Sequence, residues 1–395
     1  MKKHPKRILK ILFPMSAISL TLIFTPWVLL RAWITPLPAT VEEQVNAAIG
    51  YGLDGIIVYV DQAGKKKSFY SAGWKNRENQ VAADPHALFK IASISKLYIA
   101  VASAMLVNDQ ILDLDKTLVD YLPELNGRID LADQITLRMM LQHRSGIPDF
   151  IDDPDYPWSD YPKDNRETLE LVLDEPADFR PDRRYRYSNT NYLLIGEIMD
   201  QVLGYSHRQY IKEEILVPHD LLSTYGLLGE ADIEKVTSGY YVGYDKDLKY
   251  NDYTSPGGSM VATAEDVGNF LRALNDGSLL SDEEQAVYSS IYVYEHTGLL
   301  PGYQSIARYF EDIDTVVIQF VNTSGGKMWS VSSILYNRII KILRRKSEHN
   351  YVDSQAVLQK HQANPQHFLY PYPTQAWIIQ NIVCLRSSSL LLTSI

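Results

Sequence analysis

Ser93-Ile-Ser-Lys-Leu-Tyr-Ile-Ala-Val-Ala-Ser-Ala-Met-Leu-Val107 carries one charge in the whole stretch, Lys96. The spacing predicts a helix that is apolar on nearly every face, and such a helix belongs in a protein core. A lysine there must be paired or functional, because a buried, unpaired ammonium costs several kcal/mol. Residues three apart share a helix face, so Ser93 and Lys96 stand together at the predicted N-terminus. Free backbone N–H groups and the helix dipole favour negative charge at that end. The lysine can take a hydroxyl proton and the amide hydrogens can hold an oxyanion, so this is a sound place for a nucleophile. Ser-x-x-Lys is a short pattern, however, and a second copy, Ser324-Gly-Gly-Lys327, falls in a predicted turn. The surroundings of Ser93 must decide.

Upstream, Gly55-Ile-Ile-Val-Tyr-Val60 and Lys67-Ser-Phe-Tyr-Ser-Ala-Gly-Trp74 flank a turn at Asp61 to Gly64 and predict a β-hairpin. Downstream the same signature predicts strands over Ile291 to Gly298, Gln304 to Phe310 and Thr315 to Val321. After them Val331, Leu335, Ile339 and Ile342 mark an amphipathic helix over Trp329 to Leu343 that can cover a sheet. The stretch from about 110 to 280 shows helical stripes and long loops. The expected fold is an α/β (α+β) sandwich: an antiparallel sheet with strands from both termini, covered by helices, with a helical region inserted.

Two further pieces surround the Ser-Lys pair. Tyr187-Ser188-Asn189 follows an extended Arg-Tyr-Arg run and opens a predicted helix over Asn189 to Leu203, with Gly204 as its stop. His296-Thr297-Gly298 ends a predicted strand. In the order Ser-x-x-Lys, Tyr-x-Asn, His-x-Gly, the chain resembles the serine β-lactamase and DD-peptidase family, in the branch of class C β-lactamases, D-Ala-D-Ala carboxypeptidases and related esterases. The resemblance spans about residues 45 to 345. It takes in Ile135-Thr-Leu-Arg-Met-Met-Leu-Gln-His-Arg-Ser-Gly-Ile-Pro-Asp149 and Pro256-Gly-Gly-Ser-Met-Val-Ala-Thr-Ala-Glu-Asp266 as well.

The resemblance implies that Ser93 is acylated, that Lys96 and Tyr187 share the proton traffic, and that no metal or cofactor takes part. It implies that Asn189 binds the acyl amide, that Thr297 offers a hydroxyl to a substrate carboxylate, and that the N–H groups of Ser93 and Leu299 form the oxyanion hole. Gly298 would let the strand pass close to the ligand. A phenol is a poor base near neutrality, so Tyr187 needs a nearby cation, for which Lys96 is the obvious source. Two departures stand out. His296 replaces a lysine of the β-lactamases and penicillin-binding proteins, which exchanges a fixed charge for a group expected to titrate near neutrality. Asp182 follows Pro181 where the family often has glycine, and aspartate tolerates the left-handed turn better than most residues. The expected substrates are D-amino-acid peptides, amides or β-lactams, cell-wall peptides among them. An esterase of the same fold and a non-hydrolytic sensor are the alternatives.

The 395 residues include 38 Lys+Arg and 48 Asp+Glu, a formal net charge of −10, with 46% hydrophobic residues. This is a folded, mostly acidic protein, which argues against a nucleic-acid partner. Residues 1–40 hold six basic residues and no acid, and a run without charge extends from Ile11 to Leu30. Twenty residues of helix reach about 30 Å, the hydrocarbon thickness of a bilayer. The basic residues before it predict a cytoplasmic stub and an extracytoplasmic body, periplasmic or on the cell surface. Residues 1–40 are thus an anchor or a cleaved signal peptide, the latter releasing a secreted protein. Residues 41–345 would form the catalytic domain and 346–395 an unassigned extension, and the oligomeric state stays open.

Overall fold

The computed structural model describes residues 26–158 and 160–362. Helices α1 (Trp27–Ile34) and α2 (Val41–Ala48) precede strands β1 (Gly55–Gln62), β2 (Ser68–Asn76), β3 (Val81–Ala82) and β4 (Phe89–Lys90). Helix α3 (Ser95–Asn108) opens a largely helical insertion that contains α4 (Asn189–Leu203) and the short strands β5 (Thr224–Tyr225), β6 (Tyr240–Tyr241) and β7 (Val261–Ala262). Helices α5 (Ala264–Asp276) and α6 (Asp282–Ile291) lead back to β8 (His296–Leu300), β9 (Tyr303–Phe310), β10 (Thr315–Val321) and β11 (Thr323–Ser324), and then to α7 (Met328–Gln362).

The strands from the two ends of the chain meet. The main sheet is antiparallel in the order β3-β2-β1-β10-β9-β8, with Ile56 opposite Val321 and Gly55 opposite Gly73. Side chains of a strand alternate between faces, and here both faces are covered. Ile57 and Tyr59 of β1 point into the core shared with α3, whereas Ile56, Val58 and Val60 point into a second core built from α1, α2 and α7. That double burial is why β1 reads as an unbroken apolar run. Helix α3 is buried along nearly its whole length, and Tyr98 stacks on Phe270 of α5 with ring centroids 3.8 Å apart.

Three boundaries differ from the expectation. The α-helix starts at Ser95, and Ser93 lies in a 3₁₀ turn, Ala92–Ile94, just before it. The strand expected from Ile291 begins only at His296, because Ile291 closes α6, whose N-terminus is fixed by a Ser281–Glu284 capping box. Helix α7 continues past Leu343 to Gln362, and contacts divide the chain after Arg344 into a main body and a second unit.

Most of the run from Ile11 to Leu30, and residues 363–395 of the unassigned extension, lie outside the described residues. Among the described residues no helix is long and apolar enough to cross a membrane. Helix α1 is tied to the body by buried Arg338, whose guanidinium donates to the carbonyls of Thr35 and Pro36 at 2.7 and 2.8 Å and to Gln44 Oε1 at 2.6 Å. Its Trp33 and Ile34 remain exposed.

Candidate active site

Ser93 sits where a strained turn meets the edge of the main sheet. Ala92 has φ +52°, a conformation that costs a non-glycine residue energy and persists only where its surroundings impose it. They do so here. Ser305 Oγ on β9 donates to the Ile91 carbonyl at 2.8 Å, Ser95 Oγ donates to the Ala92 carbonyl at 2.6 Å, and Ile91 N–H donates to the Met260 carbonyl at 3.1 Å. Strand β8 passes against the same turn. A Cβ on Gly298 would lie 2.3 Å from the Ile91 carbonyl oxygen and 2.9 Å from Ala92 Cβ, so only glycine permits this approach.

Lys96 is fully buried one turn below Ser93 and has three partners. Its Nζ lies 3.1 Å from Ser93 Oγ, 2.8 Å from Asn189 Oδ1 and 2.7 Å from the Gly257 carbonyl. Burial pushes its pKa down to about 7, against the opposing pull of Asp149. Two of the partners are pure acceptors. A neutral amine can satisfy both with its two hydrogens and keep its lone pair for Ser93. Gly257 is needed for this contact, since a Cβ there would come within 2.9 Å of Lys96 Nζ.

Tyr187 Oη donates to Ser93 Oγ at 2.9 Å, so the nucleophile has Lys96 on one side and a phenol on the other. Lys96 Nζ also lies 5.0 Å from the centre of the Tyr187 ring. Of the two groups expected to share the proton traffic, Tyr187 is the less basic: burial outweighs other influences and raises its pKa above the ordinary tyrosine value. Tyr187 is a proton donor in this geometry. Asp182 adopts φ +62°, as its position after Pro181 suggested, and the turn presents Tyr187. Arg184 packs over the Phe179 ring and Arg186 pairs with Asp152 and Asp178, so neither supplies Tyr187 with a charge.

His296 also departs from expectation. Its Nδ1–H donates to the Thr297 carbonyl at 2.5 Å, and its Nε2 accepts from Tyr292 Oη at 2.8 Å. Burial, aided by Lys96, lowers its pKa to about 4. The imidazole is therefore neutral near pH 7, not a switchable cation for a carboxylate. Thr297 and Leu299 line the same cavity as Ser93, and Leu299 is exposed at its edge.

Asp149 and His143 belong to the site as well, although the sequence marks them only as part of the stretch from Ile135 to Asp149. Asp149, nearly buried, accepts from Asn189 Nδ2 at 2.9 Å and so turns the Asn189 oxygen toward Lys96. Asn189 lines the cavity too, but its oxygen is engaged by Lys96 rather than free for a substrate amide. His143 stacks on Tyr187 with centroids 4.4 Å apart, and its Nδ1 accepts from Ser188 N–H at 3.2 Å. Burial takes its pKa down to about 3, so it positions Tyr187 as a neutral ring. Their partners lie some forty residues away, and sequence spacing does not show such contacts. Among the described residues no group of His, Cys, Asp and Glu could hold a metal ion.

The cavity in front of Ser93 has a volume of about 850 Å³ and is walled by Trp158, Tyr187, Tyr241, Tyr244, Tyr253 and Trp329 along with aliphatic residues.

Known proteins share this fold. The fold aligns with D-amino acid amidase from Ochrobactrum anthropi SV3, solved with L-phenylalanine, at a TM-score of 0.68 and 22% identity over 78% of this chain and 98% of that one. It aligns with a penicillin binding protein from Bacillus halodurans at a TM-score of 0.64 and 21% identity, covering 75% and 99% of the two chains. These likenesses identify the β-lactamase/transpeptidase-like fold. By sequence the chain is 25% identical over 218 residues to penicillin-binding protein 4* of Bacillus subtilis (strain 168), which is 54% of this chain and 45% of that protein. It is 29% identical over 181 residues to a putative D-alanyl-D-alanine carboxypeptidase of Escherichia coli (strain K12), 43% of this chain and 41% of the relative. The match thus spans less than half the length of these relatives. The Beta-lactamase family model matches residues 30–291, and with it the chain belongs to the β-lactamase family of serine hydrolases.

Proposed function

We propose that the protein hydrolyses carboxylic amides and esters through an acyl-enzyme on Ser93. The observation that carries this is the contact of one hydroxyl with two proton-handling groups, Lys96 Nζ at 3.1 Å and Tyr187 Oη at 2.9 Å. Lys96, neutral in an appreciable fraction near its pKa of about 7, accepts the Ser93 proton as Oγ attacks the substrate carbonyl. The N–H groups of Ser93 and Leu299 hold the oxyanion. The ammonium formed on Lys96 returns its proton to the leaving nitrogen or oxygen, with the Tyr187 hydroxyl on the path. Water then repeats the sequence and frees the acid and Ser93.

The relatives make peptides and amides of D-amino acids, with β-lactams, the first substrates to try. The neutral His296 supports the second reading, an esterase, because it removes the charge expected to hold a carboxylate. Intact mass measurement after exposure to a fluorophosphonate and to a penicillin tests the assignment. Each reagent that reacts should add one equivalent, absent from Ser93→Ala. Labelling that persists in Ser93→Ala sinks it. We propose as well that the N-terminal segment carries the body across a membrane and holds it there. A C-terminal reporter active only in the cytoplasm would overturn that placement.

A further inference from the structure

The lining of the main cavity contains Ser93, Asn189, His296 and Thr297 as its principal polar groups and, among the described residues, no Asp, Glu, Lys or Arg. Three cations near the cavity are committed elsewhere, and Lys327, exposed between the lining residues Gly325 and Trp329, stands outside the lining. Lys96 is buried behind Ser93 with three partners. Lys90 is buried too, and its Nζ donates to the Leu248 and Asn251 carbonyls at 3.0 and 2.6 Å. Arg308 borders a smaller neighbouring hollow, where it pairs with Glu295 at 3.4 Å. A carboxylate entering the main cavity gives up water and meets no fixed positive charge in return. Aromatic walls instead offer large apolar faces, and the volume admits a drug-sized group.

We infer that this cleft selects acyl donors whose carboxyl groups are blocked as amides or esters and which carry an aromatic or bulky apolar group, over otherwise identical substrates ending in a free carboxylate. The inference rests on the reading of Ser93 as the nucleophile and names the substrate class of that site. The polar groups at hand fit such a ligand: Thr297 Oγ1 and the second hydrogen of Asn189 Nδ2 can bond to neutral carbonyls, which need no counter-charge.

Protection of Ser93 from a fluorophosphonate tests this in the full chain, whether or not a compound is turned over. The compounds are N-acetyl-D-Phe-D-Ala carboxamide, the same dipeptide as its free acid, and N-acetyl-D-Ala-D-Ala carboxamide. The carboxamide of the aromatic dipeptide should halve the labelling rate at a concentration about 100-fold below that of its acid, and below that of the alanine analogue. The gap should persist from pH 5.5 to 8. Equal or better protection by the acid, or protection by none of the three, overturns the inference while leaving Ser93 as the nucleophile. Labelling that survives in Ser93→Ala removes the underlying reading, and this inference falls with it. Tyr244→Lys, at the exposed margin of the cleft, provides a second check: a new cation there should narrow the gap between the carboxamide and its acid at least several-fold, whatever the loss of the aromatic wall costs both.

Discussion

Ser93 owes its expected reactivity to a lysine that the fold has stripped of water. With Lys96 titrating at about 7, kcat/KM for a neutral substrate should rise as pH climbs through 6 and level off above 8. His296, at about 4, should add no further limb between pH 5.5 and 8. Asp149 provides a sharper test, because its charge holds the Lys96 pKa up. Asp149→Asn keeps an acceptor for Asn189 but deletes that charge, so the rising limb should move to lower pH; a move to higher pH contradicts the Asp149–Asn189–Lys96 relay. Lys96 faces Ser93, Asn189, Asp149, Tyr187, Tyr192, His143 and His296, and of these only Asp149, whose own pKa burial raises, is a carboxylic acid. The Ser-x-x-Lys and Tyr-x-Asn pairs were legible because each lies within a single turn. Asp149 and His143 were not, because their role exists only where two distant segments touch.

At the scale of elements, β8 and α1 are held by opposite devices. Strand β8 lies on the Ser93 turn because Gly298 leaves room for the Ile91 carbonyl. Gly298→Ala must push the strand outward, and kcat should fall by about 100-fold or more, with stability measured by urea unfolding changing far less. Helix α1 depends on a buried cation. Arg338→Leu leaves the carbonyls of Thr35 and Pro36 and the Gln44 amide oxygen without their donor, and should cost about 2–4 kcal/mol in urea unfolding. The rate per folded molecule should not change. The boundary at Ile291 shows why element limits were harder to read than element types. Tyr-Val-Tyr looks like strand, yet Tyr292 and Tyr294 pack partly buried against the helical core, so tertiary burial decides their conformation.

The whole molecule places two lysines and many tyrosines out of water, and their effects on stability have opposite signs. Lys90 and Lys96 fall to about 7 in the fold and would stand near the ordinary lysine value of 10.5 when unfolded. The unfolded chain therefore holds more protons between those limits, and stability should rise as pH increases from 7 toward 10. Buried Tyr98, Tyr192, Tyr303 and Tyr336 are raised well above 10, so stability should fall once the unfolded chain can ionise its phenols. Urea midpoints across pH 6 to 11 should thus peak between about 9 and 10, and a monotonic fall from pH 7 would contradict the burial of both lysines. The net charge of −10 adds a second whole-molecule expectation. Salt should relieve the repulsion of anionic substrates and leave kcat/KM for neutral ones nearly flat.

Residues near one another in sequence determined much on their own: the buried helix behind Ser93, the hairpin of β1 and β2, and the short backbone turns between strands. Each follows from periodicity or from the backbone freedom of a few residues. Only the tertiary structure decided what charge the site carries. The same burial that makes Lys96 a candidate base keeps Tyr187 protonated and His296 neutral, and it depends on the segments around residues 149, 189, 257 and 296 closing over one hydroxyl.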